Sequence, residues 1–165
     1  MRPGRSLWRR VVACALVGVV VGMPGGVLAD PSETDPKGIA RDPDYLAGKW
    51  AIDAREWSEA VKRLDRAARR DPDNADLQNY LGFAYRNLGQ LEPALAHYRR
   101  ALALNPQHRG AHEYAGEAYL LAGNLAKAEE HLEALRRICP VPCEELADLE
   151  REITAYRTRA GGQRR

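Results

Sequence analysis

An all-α fold, a stack of paired helices closed by one further helix, is what the sequence predicts, and three observations carry that expectation. Small residues and proline recur at a spacing of 34: Gly48, Gly82 and Gly116; Ala60, Ala94 and Ala128; Pro72, Pro106 and Pro140. Between these fixed points run apolar stripes of helical period, interrupted by turn residues. β-Branched residues are scarce after residue 30 and phenylalanine occurs once, which disfavours a sheet-based enzyme domain. The chain has 165 residues, 45% of them apolar, about one domain's worth with a real core. Its 25 basic and 23 acidic residues leave a net charge of +2, which argues against binding nucleic acid through phosphates.

The first element is not part of that fold. Arg2, Arg5, Arg9 and Arg10 precede an uncharged run from Val11 to Met23, and small residues, Val27 and Ala29, precede the first acid, Asp30. This is the order of a secretory signal peptide over residues 1–29, with cleavage between Ala29 and Asp30. The 13-residue run is short of the roughly 18 residues expected of a membrane span, so the membrane is met only through the leader, unless it is retained as an anchor. Cys14 lies too early in the run for a lipid attachment site. Without the leader, 21 basic and 23 acidic residues remain, a net charge of −2. Export and the excess of arginine over lysine point to a bacterial periplasm, or to secretion.

Residues 30–41, rich in Asp, Pro and Ser, read as a flexible linker. The first helix pair, residues 41–74, opens with Asp42 as a cap and Pro43 in the first helical position. In the second copy, residues 75–108, Leu77, Leu81, Ala84, Tyr85 and Leu88 form one stripe. Gly89-Gln90 breaks it, and Leu91, Ala94, Leu95, Tyr98, Ala101 and Leu102 form the next before Asn105-Pro106. Gly82 and Ala94 are small where two helices approach, and Tyr85 and Tyr98 fill the space beside them. The third copy spans residues 109–142. Leu146, Leu149, Ile153 and Tyr156 then mark a capping helix over about residues 143–156, and residues 157–165, with four arginines, read as a disordered basic tail.

Leu81-Gly82, Tyr85, Gly89, Ala94, Tyr98, Ala101 and Pro106 resemble the tetratricopeptide repeat (TPR), lacking only its opening Trp, where Gln78 stands. Ala115-Gly116, Tyr119, Gly123, Ala128, Leu132 and Pro140 repeat the pattern, and Gly48, Ala60, Leu64, Ala67 and Pro72 match it more loosely. The chain thus looks like a small exported bacterial TPR protein. The resemblance implies a right-handed α-solenoid of three helix pairs whose first helices line an inner wall that binds an extended peptide or a partner helix.

By the register of the resemblance, that wall carries Tyr45, Lys49 and Ile52, then Asn79, Phe83, Arg86 and Asn87, then Glu113 and Glu117, with Leu120 and Leu121 at its far end. Phe83 stands two residues from Leu81, about 200° around the helix and off the core stripe. It is either a binding anchor or an aromatic packed on its neighbours. Some TPR proteins grip a C-terminal carboxylate with Lys and Asn. The matching places here hold Tyr45, Lys49, Tyr80, Gly110 and Tyr114, so that clamp is absent and a chaperone-tail adaptor is not expected.

Cys139 and Cys143 flank Pro140-Val141-Pro142 and are expected to form a structural disulfide that pins the capping helix. The rival is a thiol-redox or copper-handling role, because Cys-Pro-x-x-Cys also looks like the metal loop of certain thioredoxin-fold copper-delivery proteins. His97 and His131 share a repeat register, and His108 and His112 are four apart without two further ligands in view. No catalytic triad order, phosphate loop or paired catalytic carboxylates stand out, and the many acids, often three or four from an Arg, read as solvated faces. The sequence therefore predicts a non-catalytic scaffold without cofactor or metal. Its expected partner is another protein or peptide, with self-association through the ends of the stack as a further expectation. The charge supports this: residues 30–156 stand at −6.

Overall fold

The computed structural model describes residues 39–162. The leader, its cleavage point, most of the proposed linker and the last three positions, Gln163, Arg164 and Arg165, lie outside the described residues. A short 3-10 turn, Ile39–Arg41, precedes seven α-helices: α1 (Pro43–Asp53), α2 (Trp57–Arg70), α3 (Ala75–Asn87), α4 (Leu91–Leu104), α5 (Arg109–Leu121), α6 (Leu125–Ile138) and α7 (Glu144–Gly162).

Each boundary has a local cause. The Asp42 carboxylate accepts from the backbone N–H of Asp44 and Tyr45 at 2.9 and 3.0 Å, which starts α1 at Pro43. Asn74 and His108, 34 residues apart, do the same for α3 and α5 through Leu77 and Ala111. Within the second and third pairs the chain turns on Gly89 and Gly123, at φ 74° and 75°. The first pair turns on Arg55, at φ 58°, in the same register. A side chain other than glycine is strained there, so Arg55→Gly is expected to raise stability by about 0.5 to 1 kcal/mol, read by urea melts.

The core is a row of three clusters. Ala51, Ala60, Leu64, Ala67, Leu77, Leu81 and Ala84 tie α1, α2 and α3 together. Ala94, Leu95, Tyr98, Ala115 and Ala118 join α4 to α5. Leu120, Ala128, Leu132 and Leu135 meet Leu149 and Ile153 of α7. Tyr85 belongs to the margins of the first two clusters and Tyr119 to the margins of the last two.

The three repeat glycines mark close approaches. A Cβ on Gly48 would come within 2.6 Å of Leu64, and one on Gly82 within 2.5 Å of Tyr98, both partners on the second helix of the same pair. At Gly116 the nearest atoms belong instead to Leu149 of α7, at 2.7 Å. The last helix thus takes the contact that the repeat pattern assigns to α6. It packs on α5 more extensively than on α6, whereas α3 meets the pair before it chiefly through α2, and α5 meets the pair before it chiefly through α4.

Two expectations need correcting. The capping helix continues to Gly162 rather than ending at residue 156, so Arg157 and Arg159 lie in its last turns and not in a disordered tail. Arg157 pairs with Glu129 of α6 at 2.6 Å. The acids are also more than solvated faces. Asp42 and Asp44, at the start of α1, bind Arg70 and Arg66, at the end of α2, over 2.7 to 2.8 Å. These arginines hold both carboxyls below their usual range, Arg70 acting first on Asp42 and Arg66 on Asp44.

Candidate functional site

The first helices of the three pairs, α1, α3 and α5, present the side chains that the sequence places on an inner wall. On α1, Tyr45 meets Tyr80 edge-on at 6.0 Å, and the Lys49 ammonium lies 5.5 Å from both ring centroids. Ile52 is half-buried against the first core cluster. On α3, the Phe83 ring packs against Trp57 at 5.8 Å and Tyr114 at 5.0 Å. The Arg86 guanidinium stands 5.2 Å from both Phe83 and Tyr114 and pairs with Glu117 of α5. Phe83 is therefore held by neighbours on α2, α3 and α5. Asn87 is exposed, and its amide donates to the Phe83 carbonyl at 2.8 Å.

Two residues of the wall are more deeply placed. Asn79 is 6% exposed, and its Oδ1 has no hydrogen-bond partner. Glu113 is 8% exposed. Burial, then the neighbouring carboxylates of Asp148 and Glu145, push its pKa up to about 7 against the pull of Arg86.

Because α7 lies on α5, it forms a further wall facing α3, and two cavities open along this seam. One, of about 240 Å³, is bounded by Arg86, Glu117, Leu120 and Leu121 on one side and by Glu152, Tyr156 and Arg159 of α7 on the other. The other, of about 290 Å³, lies between Asn79 and Tyr80 of α3 and the start of α7, with Gly110, Glu113 and Tyr114 of α5 between them. Leu120 is covered and Leu121 is 65% exposed. The contribution of α7 could not be read from the repeat register, which stops at residue 142. Trp50, 70% exposed on α1, was also missed, since it lies outside the wall positions.

Cys139 and Cys143 are joined as a disulfide with Cα atoms 6.0 Å apart, linking the end of α6 to the start of α7. Cys143→Ser is expected to lower stability by about 2 kcal/mol in a denaturant melt under non-reducing conditions, with the loss confined to contacts of α7. The partner of His112 is His131 rather than His108: their Nδ1 atoms are 3.0 Å apart. Burial lowers both pKa values, that of His131 to about 4. Among the described residues no group of three or more His, Cys, Asp or Glu side chains could hold a metal ion.

Residues 75–108 match the tetratricopeptide repeat family. No curated protein sequence matches the chain. Among solved structures it is similar to the second TPR domain of human RPAP3, in complex with an HSP70 peptide, at 20% identity over 71% of this chain and 97% of that one, with a TM-score of 0.62. It is also similar to the yeast Sti1 TPR2B domain in a pHsp70 complex, at 25% identity over 73% and 94%, TM-score 0.61. A third is PcrH in complex with the chaperone binding region of PopD, at 22% identity over 73% and 93%, TM-score 0.65. These likenesses establish the all-α helical solenoid and support the tetratricopeptide repeat family.

Proposed function

We propose that this chain is a non-catalytic interaction scaffold of the bacterial cell envelope that binds an extended peptide or partner helix along the seam between α3 and α7. One observation carries the reading. The wall helices present aromatic, cationic and carboxylate side chains beside two cavities that the chain's own packing leaves unfilled. The complexes of the similar solved structures support a protein or peptide ligand. The ligand need not be of the same kind, because the seam carries acids where a carboxylate-gripping groove carries cations.

Co-purification from envelope extracts tests the reading. A partner is expected to be retained by the parent chain and lost with Lys49→Glu, which disrupts the Tyr45–Lys49–Tyr80 contact without touching the core. Retention of every captured protein by that variant overturns the groove assignment. The envelope location rests on the basic, apolar and small-residue order of residues 1–29. Amino-terminal sequencing of the periplasmic protein is expected to begin at Asp30, and an uncleaved cytoplasmic product overturns it.

A further inference from the structure

The 290 Å³ cavity at the head of the seam has a chemistry that the groove reading leaves unassigned. Glu144, Glu145 and Asp148, on the first turns of α7, bring three carboxylates to its rim, and Glu113 brings a fourth from α5. No cationic side chain lines it. Two of the rim acids already have cationic partners: Asp148 lies 2.8 Å from Arg151 and Glu145 3.5 Å from Arg109. Glu113 has no such partner among the described residues, and it is more than nine-tenths buried.

An acidic rim alone would be a solvated surface. The second observation is Asn79, which lines the same cavity from the opposite helix with an equally buried side chain whose oxygen accepts no hydrogen bond. A buried acceptor and a buried carboxylate left without donors across one cavity are a cost to the free protein that a donor bearing positive charge would remove. Tyr80 and Tyr114 line the cavity as well; each ring already has a cation of the chain near it, Lys49 at 5.5 Å and Arg86 at 5.2 Å, so the two rings bound the socket as walls for the aliphatic stem of a long side chain. The volume lies below that of usual small-molecule sites, of roughly 300 to 1,000 Å³, and suits one long side chain. Metal binding is disfavoured because the acids do not converge on one point.

We infer that this cavity is a socket for a lysine or arginine side chain of the bound peptide, with Glu113 as counter-ion, Asn79 as acceptor and Tyr80 and Tyr114 as flanking rings. The inference rests on the groove reading for the direction from which the peptide arrives. It also inverts the absent clamp: Tyr80, Gly110 and Tyr114 occupy places where carboxylate-binding relatives carry donors, and the acids around them select the opposite charge. The reacting surface involves no covalent step, only exchange of solvent for an ion pair.

The test uses the full chain labelled with ¹⁵N and the probe acetyl-Gly-Gly-Lys-Gly-Gly-amide, with norleucine in place of lysine as the uncharged control. Titration to about 10 mM is expected to give saturable shifts at the Gly110 amide and the Asn79 side-chain amide, as a single socket binds in the millimolar range. The norleucine peptide and the Glu113→Gln variant are each expected to bind roughly tenfold more weakly or not at all. Glu133→Gln, on the exposed face of α6, is expected to bind as the parent does. Absence of saturable shifts, equal shifts with norleucine, or unchanged binding by Glu113→Gln overturns the socket. Since the assay needs no natural partner, it can fail while Lys49→Glu still abolishes co-purification, and the reverse also holds.

Discussion

Gly82→Ala is expected to be among the most damaging single-methyl changes in this chain, lowering stability by about 3 kcal/mol. The added Cβ would come within 2.5 Å of Tyr98 Cε1 and 2.9 Å of its Cζ, which a van der Waals contact does not allow. The ring has no room to retreat. Tyr98 is fully buried in the second cluster, with the Tyr114 ring centroid 6.4 Å from its own. Against a typical total of about 5 to 15 kcal/mol, such a loss moves the thermal midpoint down by roughly 10 °C or more. Gly89→Ala separates the steric cause from a general cost of losing glycine. Nothing lies within 4 Å of its Cβ position, and only the positive φ opposes it, for about 1 kcal/mol. In a double-mutant cycle, Gly82→Ala and Tyr98→Ala should couple by at least about 1 kcal/mol. Strict additivity would show that the ring is not what the methyl meets.

Glu113→Gln should act in the other direction and with a pH signature. The carboxyl has a pKa of about 7 in the folded chain against an ordinary 4.5, because burial and the carboxylates of Asp148 and Glu145 disfavour its charge. Below pH 4.5 it is protonated whether folded or not, and the substitution changes little. Between 4.5 and 7 the folded chain keeps a proton that the unfolded chain has released, so the parent loses stability as pH rises. Above 7 the ionised group carries its full penalty. The variant should then be more stable by up to about 3 kcal/mol at pH 8, and the gain should vanish at pH 4 in paired denaturant melts. A pH-independent difference would mean that the group is not held protonated by its surroundings. A partner's ammonium or guanidinium in the cavity would relieve the same penalty, so the parent should be stabilised by a lysine peptide and the variant should not.

The parts of this structure that were legible in the sequence are those set by neighbours along the chain. Helical stripes, the glycine and proline punctuation and the 34-residue register all act within one helix pair, and they place α1 to α6, whereas the wall positions on α1, α3 and α5 come from the resemblance. Arg55 stands at the register of Gly89 and Gly123, but its part in the first turn shows only in its positive φ. What could not be read depends on how distant segments meet. Nothing in Glu144, Glu145 or Asp148 says that they face Asn79, because the docking of α7 is decided by Leu149 finding Gly116. Arg157 reads as part of a tail in the sequence because its partner, Glu129, is 28 positions away. Phe83 was ambiguous because Trp57 and Tyr114, which enclose it, come from other elements.

The row of three small clusters joined through Tyr85 and Tyr119 has a kinetic consequence for the molecule as a whole. A stack of this kind opens from its ends, since a terminal pair can detach by breaking one interface while a central pair must break two. Amide protons of α3, α4 and α5 should therefore exchange with solvent most slowly, and those of α1 and α7 should exchange through partial openings well below the global unfolding energy. The seam lies between the slowest and one of the fastest of these elements. A long ligand could thus enter sideways, through transient release of α7, without threading past its end.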